Sequence, residues 1–232
     1  MRLHVGTSGW NYPEWRGSFY PEAMKPAAML PYYAERFSTV EVNNTFYRMP
    51  TPKLVEGWAA AVPGAFRFVL KAPQRITHFA RLRDVDEPVR VFCDTARVLG
   101  PRLGPLLFQL PPNFKMDAGR LADLLARLPP DLRAAFEFRN ASWFTDAIYE
   151  RLAARNAALC VADDDDGATP FVATADWGYL RLRATGYTDD DLRGWLAQMR
   201  QTGARWADAF VFFKHEDQGT GPALARRLLE LA

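Results

Sequence analysis

The chain has little of what marks several common functional classes. Its two cysteines, Cys93 and Cys160, stand at no metal-type spacing from each other or from a histidine. A disulfide scaffold and a cysteine zinc module are excluded, and a reducing compartment suits so few thiols. The three histidines, His4, His78 and His215, are equally scattered, so no paired helical metal motif exists. No apolar run approaches the ~20 residues of a membrane-spanning helix. The start of the chain lacks a basic segment followed by an apolar one. The expectations are therefore cytoplasmic residence and no membrane partner; composition leaves the oligomeric state open. No Gly/Ser linker or composition shift divides the chain, which points to one domain over residues 1–232. Net charge is only +2, which removes the global argument for a nucleic-acid partner and leaves only a local basic cleft to consider.

What the chain does have is eight short β-type runs at near-regular intervals: 3–6, 39–43, 67–71, 105–109, 134–138, 157–162, 179–183 and 210–214. Most are followed by helical periodicity before the next begins, the signature of right-handed βα units closing on themselves. The predicted fold is α/β, a single TIM-like (β/α)8 barrel. The first βα loop is long and aromatic, with Trp10, Tyr12, Trp15, Phe19 and Tyr20, and the sixth helix is short or missing, because residues 163–177 carry an acidic run and no apolar stripe. An open doubly wound sheet is the rival, but Gly6-Thr7-Ser8-Gly9 lacks the spacing and following helix of a dinucleotide turn.

Helix signals sit between the runs. Thr51-Pro52 reads as an N-cap and first-turn proline. Residues 84–99 place Val91, Thr95 and Val98 on one stripe. Leu121, Leu124, Leu125 and Leu128 follow an Asp117 cap, and Ser142 is expected to cap a helix to about Arg155. The last two helices are expected over 188–202 and 221–231.

Barrel enzymes gather their chemistry at the carboxyl ends of the strands. Alternation puts Glu41 with Asn43, Glu137 with Arg139, and Tyr179 with Arg181 and Arg183 on shared faces. Lys71 ends the third run and Gln109 the fourth, so acids and bases converge on one rim. Glu41 and Glu137 can divide acid and base roles, or Glu137 simply pairs with Arg139 or Arg181 while Glu41 accepts from Asn43 and a neighbouring backbone amide. The density of Lys71, Arg139, Arg181 and Arg183 points to an anionic ligand. Gly219-Thr220-Gly221 is either a phosphate seat or a turn into the last helix. The loop aromatics either stack on a substrate or form a local minicore. No cofactor is expected, with a divalent metal held by Glu41, His78, Glu137, Asp163 and His215 as the alternative.

Five segments together resemble one family: Gly6-Thr7-Ser8-Gly9-Trp10, Phe19-Tyr20-Pro21, Glu41 to Tyr47, Phe108-Gln109-Leu110-Pro111-Pro112 and Glu137 to Trp143. Phe68 to Lys71, Thr77-His78 and Tyr179 to Leu182 continue the likeness in order, so that it covers nearly the whole chain. The sequence is similar to the YecE-like family, also called domain of unknown function 72. The resemblance implies a TIM-like barrel and no settled reaction. This chain departs from the family pattern at Arg183-Ala184, where many relatives place histidine and glycine, and at Phe213-Lys214-His215 in place of a Phe-Asn-Asn-like strand.

The expected function is hydrolytic or acid-base chemistry, that of a hydrolase or lyase, on an anionic, phosphate-bearing or nucleic-acid-derived molecule. Glu41, Glu137 and His78 are the expected catalytic residues. Asn43, Tyr47, Lys71, Gln109, Arg139, Trp143, Arg181 and Arg183 are the expected substrate contacts. The alternatives are a glycoside hydrolase using Glu41 and Glu137 and a non-catalytic anion-binding protein.

Overall fold

All eight runs form strands in the computed structural model, which describes residues 1–232. They are β1 (Arg2–Thr7), β2 (Thr39–Val42), β3 (Arg67–Lys71), β4 (Leu103–Gln109), β5 (Ala134–Glu137), β6 (Ala158–Asp164), β8 (Trp177–Leu182) and β9 (Asp208–Phe213). A two-residue strand, β7 (Gly167–Ala168), folds back antiparallel on the end of β6. No helix follows β6, as the acidic, stripe-free segment predicts. The eight long strands are parallel and ordered β1-β9-β8-β6-β5-β4-β3-β2, a nearly closed TIM-like barrel.

The helices are α1 (Pro26–Ala34), α2 (Asn44–Tyr47), α3 (Pro52–Ala60), α4 (Asp86–Arg97), α5 (Ala118–Arg127), α6 (Asp146–Ala153), α7 (Asp189–Thr202) and α8 (Thr220–Leu231). Thr51 caps α3 and Asp117 caps α5, each accepting a bond from a first-turn amide. Thr188 and Asp191 form a reciprocal capping box on α7. Two helix details differ from the sequence expectation. The buried stripe of α4 is Val89, Phe92, Cys93 and Ala96, with Thr95 beside it, while Val91 and Val98 are only half-buried. Ser142 caps nothing: it lies in a 3-10 turn, accepts from the Met116 amide and donates to Asn140, and α6 starts later, after Thr145.

Alternation along the strands separates two apolar layers. Val5, Val40, Phe68, Leu70, Phe108, Phe136, Leu180 and Val211 belong to the large core between sheet and helices. Val69, Leu107, Ala135, Cys160, Trp177, Tyr179, Phe210 and Phe212 form a separate core inside the barrel. The inward positions at the carboxyl ends are polar, so the interior core stops below the mouth.

No ladder joins β1 to β2, and the seam is closed by a side chain. The buried Tyr33 hydroxyl accepts from the Thr7 amide and donates to the Thr39 carbonyl. Gly6 permits this approach, since a Cβ there would stand 2.2 Å from the Thr39 carbonyl oxygen.

Candidate active site

Six strands bring polar side chains to the carboxyl-end mouth. At its centre Arg181 bridges the two glutamates. Its Nη1 donates to Glu137 Oε2 at 2.5 Å, while Nη2 and Nε donate to Glu41 Oε1 at 2.9 and 3.2 Å. Both glutamates are 0% exposed and Arg181 is 2% exposed, so each charge is held by its partners rather than by water. Glu41 also accepts from Ser8 Oγ at 2.8 Å, Asn43 Nδ2 at 3.3 Å and, at Oε2, the Tyr179 hydroxyl at 2.5 Å. Glu137 Oε1 accepts from Gln109 Nε2 at 2.8 Å and Arg139 Nε at 3.1 Å, with Arg183 Nη2 at 3.5 Å.

Local sequence explains these placements. The parallel register sets Gln109 opposite Glu137. Gly9, at φ +111°, turns the chain immediately after Ser8, and Ser8 thereby reaches across the β1–β2 seam to Glu41. Burial alone would raise both carboxyl pKa values. For Glu137 it is overridden by Arg181, then Arg183 and Arg139, and for Glu41 by Arg181 and the Tyr179 and Ser8 hydroxyls, so both are held below the usual carboxylate range.

Lys71 differs from every other charge in the cluster. It is 8% exposed, and no hydrogen bond or ion pair engages its amine, which lies 4.1 Å from the centroid of the Phe46 ring. Its carbonyl is fixed by the Thr45 hydroxyl at 2.7 Å. Burial, then the repulsion of Arg181, pushes the ammonium pKa down to about 7, against the pull of Glu41 and Glu137. His78 follows β3 on a single π-helical turn, Arg75–Phe79, and its ring meets Phe46 edge-on at 4.8 Å. Burial, then Lys71 and Arg139, holds its pKa down to about 4, so it is neutral at physiological pH.

The mouth is rimmed by half-exposed Arg139 and by Tyr47, which is 73% exposed. Asn43 Oδ1 and Arg183 Nε are buried without partners. On the Asn43 side a cavity of about 440 Å³ is lined by Trp10, Tyr12, Asn43 and Trp58. Phe19 and Tyr20 instead pack against Tyr32, Phe19 also meets Tyr33 and Phe37, and Trp15 packs on Phe19 and Tyr20, the minicore alternative for that part of the loop. On the β6 side Asp163 accepts from the Tyr187 hydroxyl, and Asp164 lies 3.5 Å from Arg183.

Three expected positions fall elsewhere. Trp143 is 0% exposed, stacked on Phe138 with its indole donating to the Phe114 carbonyl, so it supports the β5 loop from beneath and faces no ligand. Gly219 and Gly221 pack against Ser18 and Thr7, the close-packed turn of the second reading. His215 bonds the Ala184 carbonyl, and no three His, Cys, Asp or Glu side chains are placed to hold a metal ion, so the five-residue metal set does not assemble. Ser8, Phe46 and Tyr179 join the site although they were not among the expected catalytic residues or substrate contacts. The signals were present: Ser8 lies just past a strand end, and Tyr179 is two residues before Arg181 on the same face.

A larger polar cavity, about 520 Å³, lies at the opposite barrel end. Three of its four arginines are already engaged: Arg97 by Asp131, Arg133 by Asp208, and Arg67 by three backbone carbonyls. His4 pairs with Asp208 there, a structural role at the end of the barrel that carries stability.

Fold and site together define a TIM-like barrel with a buried Glu–Arg–Glu bridge at its carboxyl-end mouth. The chain belongs to the family described as protein of unknown function DUF72, which it matches over residues 4–232. It is 25% identical to the UPF0759 protein YunF of Bacillus subtilis, across 99% of this chain and 94% of YunF. It is 32% identical to the UPF0759 protein YecE of Escherichia coli over 61% of this chain, a match that spans half the length of YecE. The crystal structure of the DUF72 family protein TM1631 from Thermotoga maritima superposes with a TM-score of 0.86 at 25% identity, covering 100% of this chain and 99% of that one. EF0366 of Enterococcus faecalis shares the fold, with a TM-score of 0.78 at 19% identity over 99% of this chain and 97% of that one. No helix is long and apolar enough to cross a membrane.

Proposed function

We propose that the mouth binds a small carboxylate- or phosphate-bearing molecule and performs acid-base chemistry on it. The observation that carries this reading is a largely buried lysine whose amine has no hydrogen-bond or ion-pair partner, with Arg139 and Arg183 at the same mouth beside the Glu–Arg–Glu bridge. Arg139 and Arg183, the latter with an unpartnered Nε, would grip the anion, and Asn43 Oδ1 can accept from a hydroxyl carried by the same molecule. Lys71 and His78 are the proton carriers. An amine pushed down to about 7 exchanges protons near neutrality.

The two glutamates take a different part from the one their strand positions first suggest. A carboxylate held ionised by arginine, with three around Glu137 and Arg181 alone beside Glu41, has no proton to donate and little affinity for one, so Glu41 and Glu137 serve to position Arg181 and set the field around Lys71. Glycoside hydrolysis needs one carboxyl kept protonated, and the depression of both pKa values argues against it.

The test is thermal unfolding with inorganic phosphate, pyruvate and glyceraldehyde 3-phosphate, followed by turnover assays on any stabilising compound. A bound anion at a hundredfold excess over its Kd contributes about 2.7 kcal/mol of stability, and Arg139→Ala, which leaves Glu137 its bonds to Arg181 and Gln109, should abolish the effect. Equal stabilisation of wild type and Arg139→Ala would place the anion elsewhere and end the proposal.

A further inference from the structure

We propose that Lys71 is a nucleophile that forms an imine with a small aldehyde or ketone carrying a carboxylate or phosphate. The inference rests on the reading of the mouth as an anion site and adds to it a covalent step and a carbonyl group.

The geometry supports it from several sides. Lys71 closes β3 at the mouth, where the groups whose charges act on its amine are Glu41 from β2, Glu137 and Arg139 from β5 and its loop, and Arg181 from β8. Both carboxylates are committed to Arg181, so neither neutralises the amine by pairing with it. The Phe46 ring covers one side of the amine, and Thr45 anchors the backbone beneath it. A lysine shielded in this way is a candidate amine nucleophile. With a pKa of about 7, roughly three-quarters of the amine is neutral at pH 7.5, against about 0.1% for an ordinary exposed lysine.

In the step itself the neutral Nζ attacks the carbonyl carbon, and the C=O π pair moves to oxygen, which takes up a proton. The carbinolamine then loses that oxygen as water, and the nitrogen lone pair forms the C=N bond of a protonated imine. One ammonium and one carbonyl give one iminium and one water, with no change of oxidation state. Neutral His78, against the same Phe46 ring, is the base at hand for the proton shuttling.

The experiment is reductive trapping. Full-length protein at pH 7.5 is mixed with pyruvate or glyceraldehyde 3-phosphate and with sodium borohydride, and the products are read by intact mass and peptide mapping. Hydroxyacetone serves as the uncharged control. A single reduced adduct on Lys71 is expected with at least one anionic probe, exceeding labelling of exposed Lys25 and Lys53 by on the order of 100-fold. Lys71→Met, close to the neutral lysine in length and unable to form an imine, should lose the adduct while keeping the wild-type unfolding temperature; Lys71→Arg, which carries a permanent charge, is the second variant should methionine not fit. Lys71 unlabelled by either anionic probe, or equal labelling of wild type and variant, would overturn the proposal. If anions still stabilise the protein through Arg139, only the covalent step has failed. If hydroxyacetone labels Lys71 as readily as pyruvate and no anion stabilises the protein, the imine stands and the anion reading has failed.

Discussion

Replacing Arg181 by methionine tests the whole electrostatic account of the mouth. Arg181 is the largest attractive charge on both Glu41 and Glu137, and both carboxylates are inaccessible to water. Removing it leaves two buried anions, of which Glu137 keeps Arg139 and Arg183 and Glu41 keeps only neutral hydrogen bonds and the more distant Lys71. Breaking a buried pair from one side costs about 3–5 kcal/mol, which for a chain of this size lowers the unfolding temperature by roughly 6–20 °C. The pH dependence is the sharper signature. In the wild type the folded carboxyl pKa values lie below the unfolded 4.5, so their contribution is present above that value and is lost only as pH falls through the depressed folded values. In the variant burial acts on Glu41 with little to oppose it and raises the folded pKa. Stability is then greatest below the unfolded value and declines as pH rises through the raised one. Urea denaturation of both proteins at pH 4.5 and pH 7.5 should therefore give a gap that widens with pH, and adding Glu41→Gln to the variant should narrow it at pH 7.5. A penalty below about 1 kcal/mol at pH 7.5, or one identical at the two pH values, would refute the reasoning.

Two further outcomes concern the scaffold. Tyr33→Phe removes the hydroxyl that closes the β1–β2 seam and leaves a buried amide and carbonyl without partners; about 1–3 kcal/mol should be lost in urea titrations, with faster exchange of the Thr7 amide as the local marker, and a neutral substitution would mean that the seam is closed by packing alone. Thr188→Ala breaks the α7 capping box and should cost about 1 kcal/mol while leaving anion-dependent stabilisation at the mouth unchanged.

The positions of these groups along the chain were readable from local chemistry, because strand alternation and end-capping act over a few residues. The eight strands, the missing helix after β6 and the caps at Thr51 and Asp117 all come from interactions between near neighbours. The same reasoning rotated the stripe of α4 from Val89, Phe92, Cys93 and Ala96 onto Val91 and Val98, since the face a helix buries is chosen by the sheet it lands on. It also placed Trp143 at the opening, where the fold turns the ring inward against Phe138.

At the mouth, side-chain periodicity alone was enough to bring Glu41, Lys71, Glu137, Arg139 and Arg181 to one rim. Which charge meets which was decided only by ring closure. Arg181 reaches two carboxylates that lie 140 and 44 residues away in sequence, and that choice leaves Lys71 as the amine with no carboxylate of its own. Coulomb and desolvation energies depend on distance and burial in three dimensions, so the residue types were written in the chain, while their protonation and availability for chemistry belong to the folded barrel.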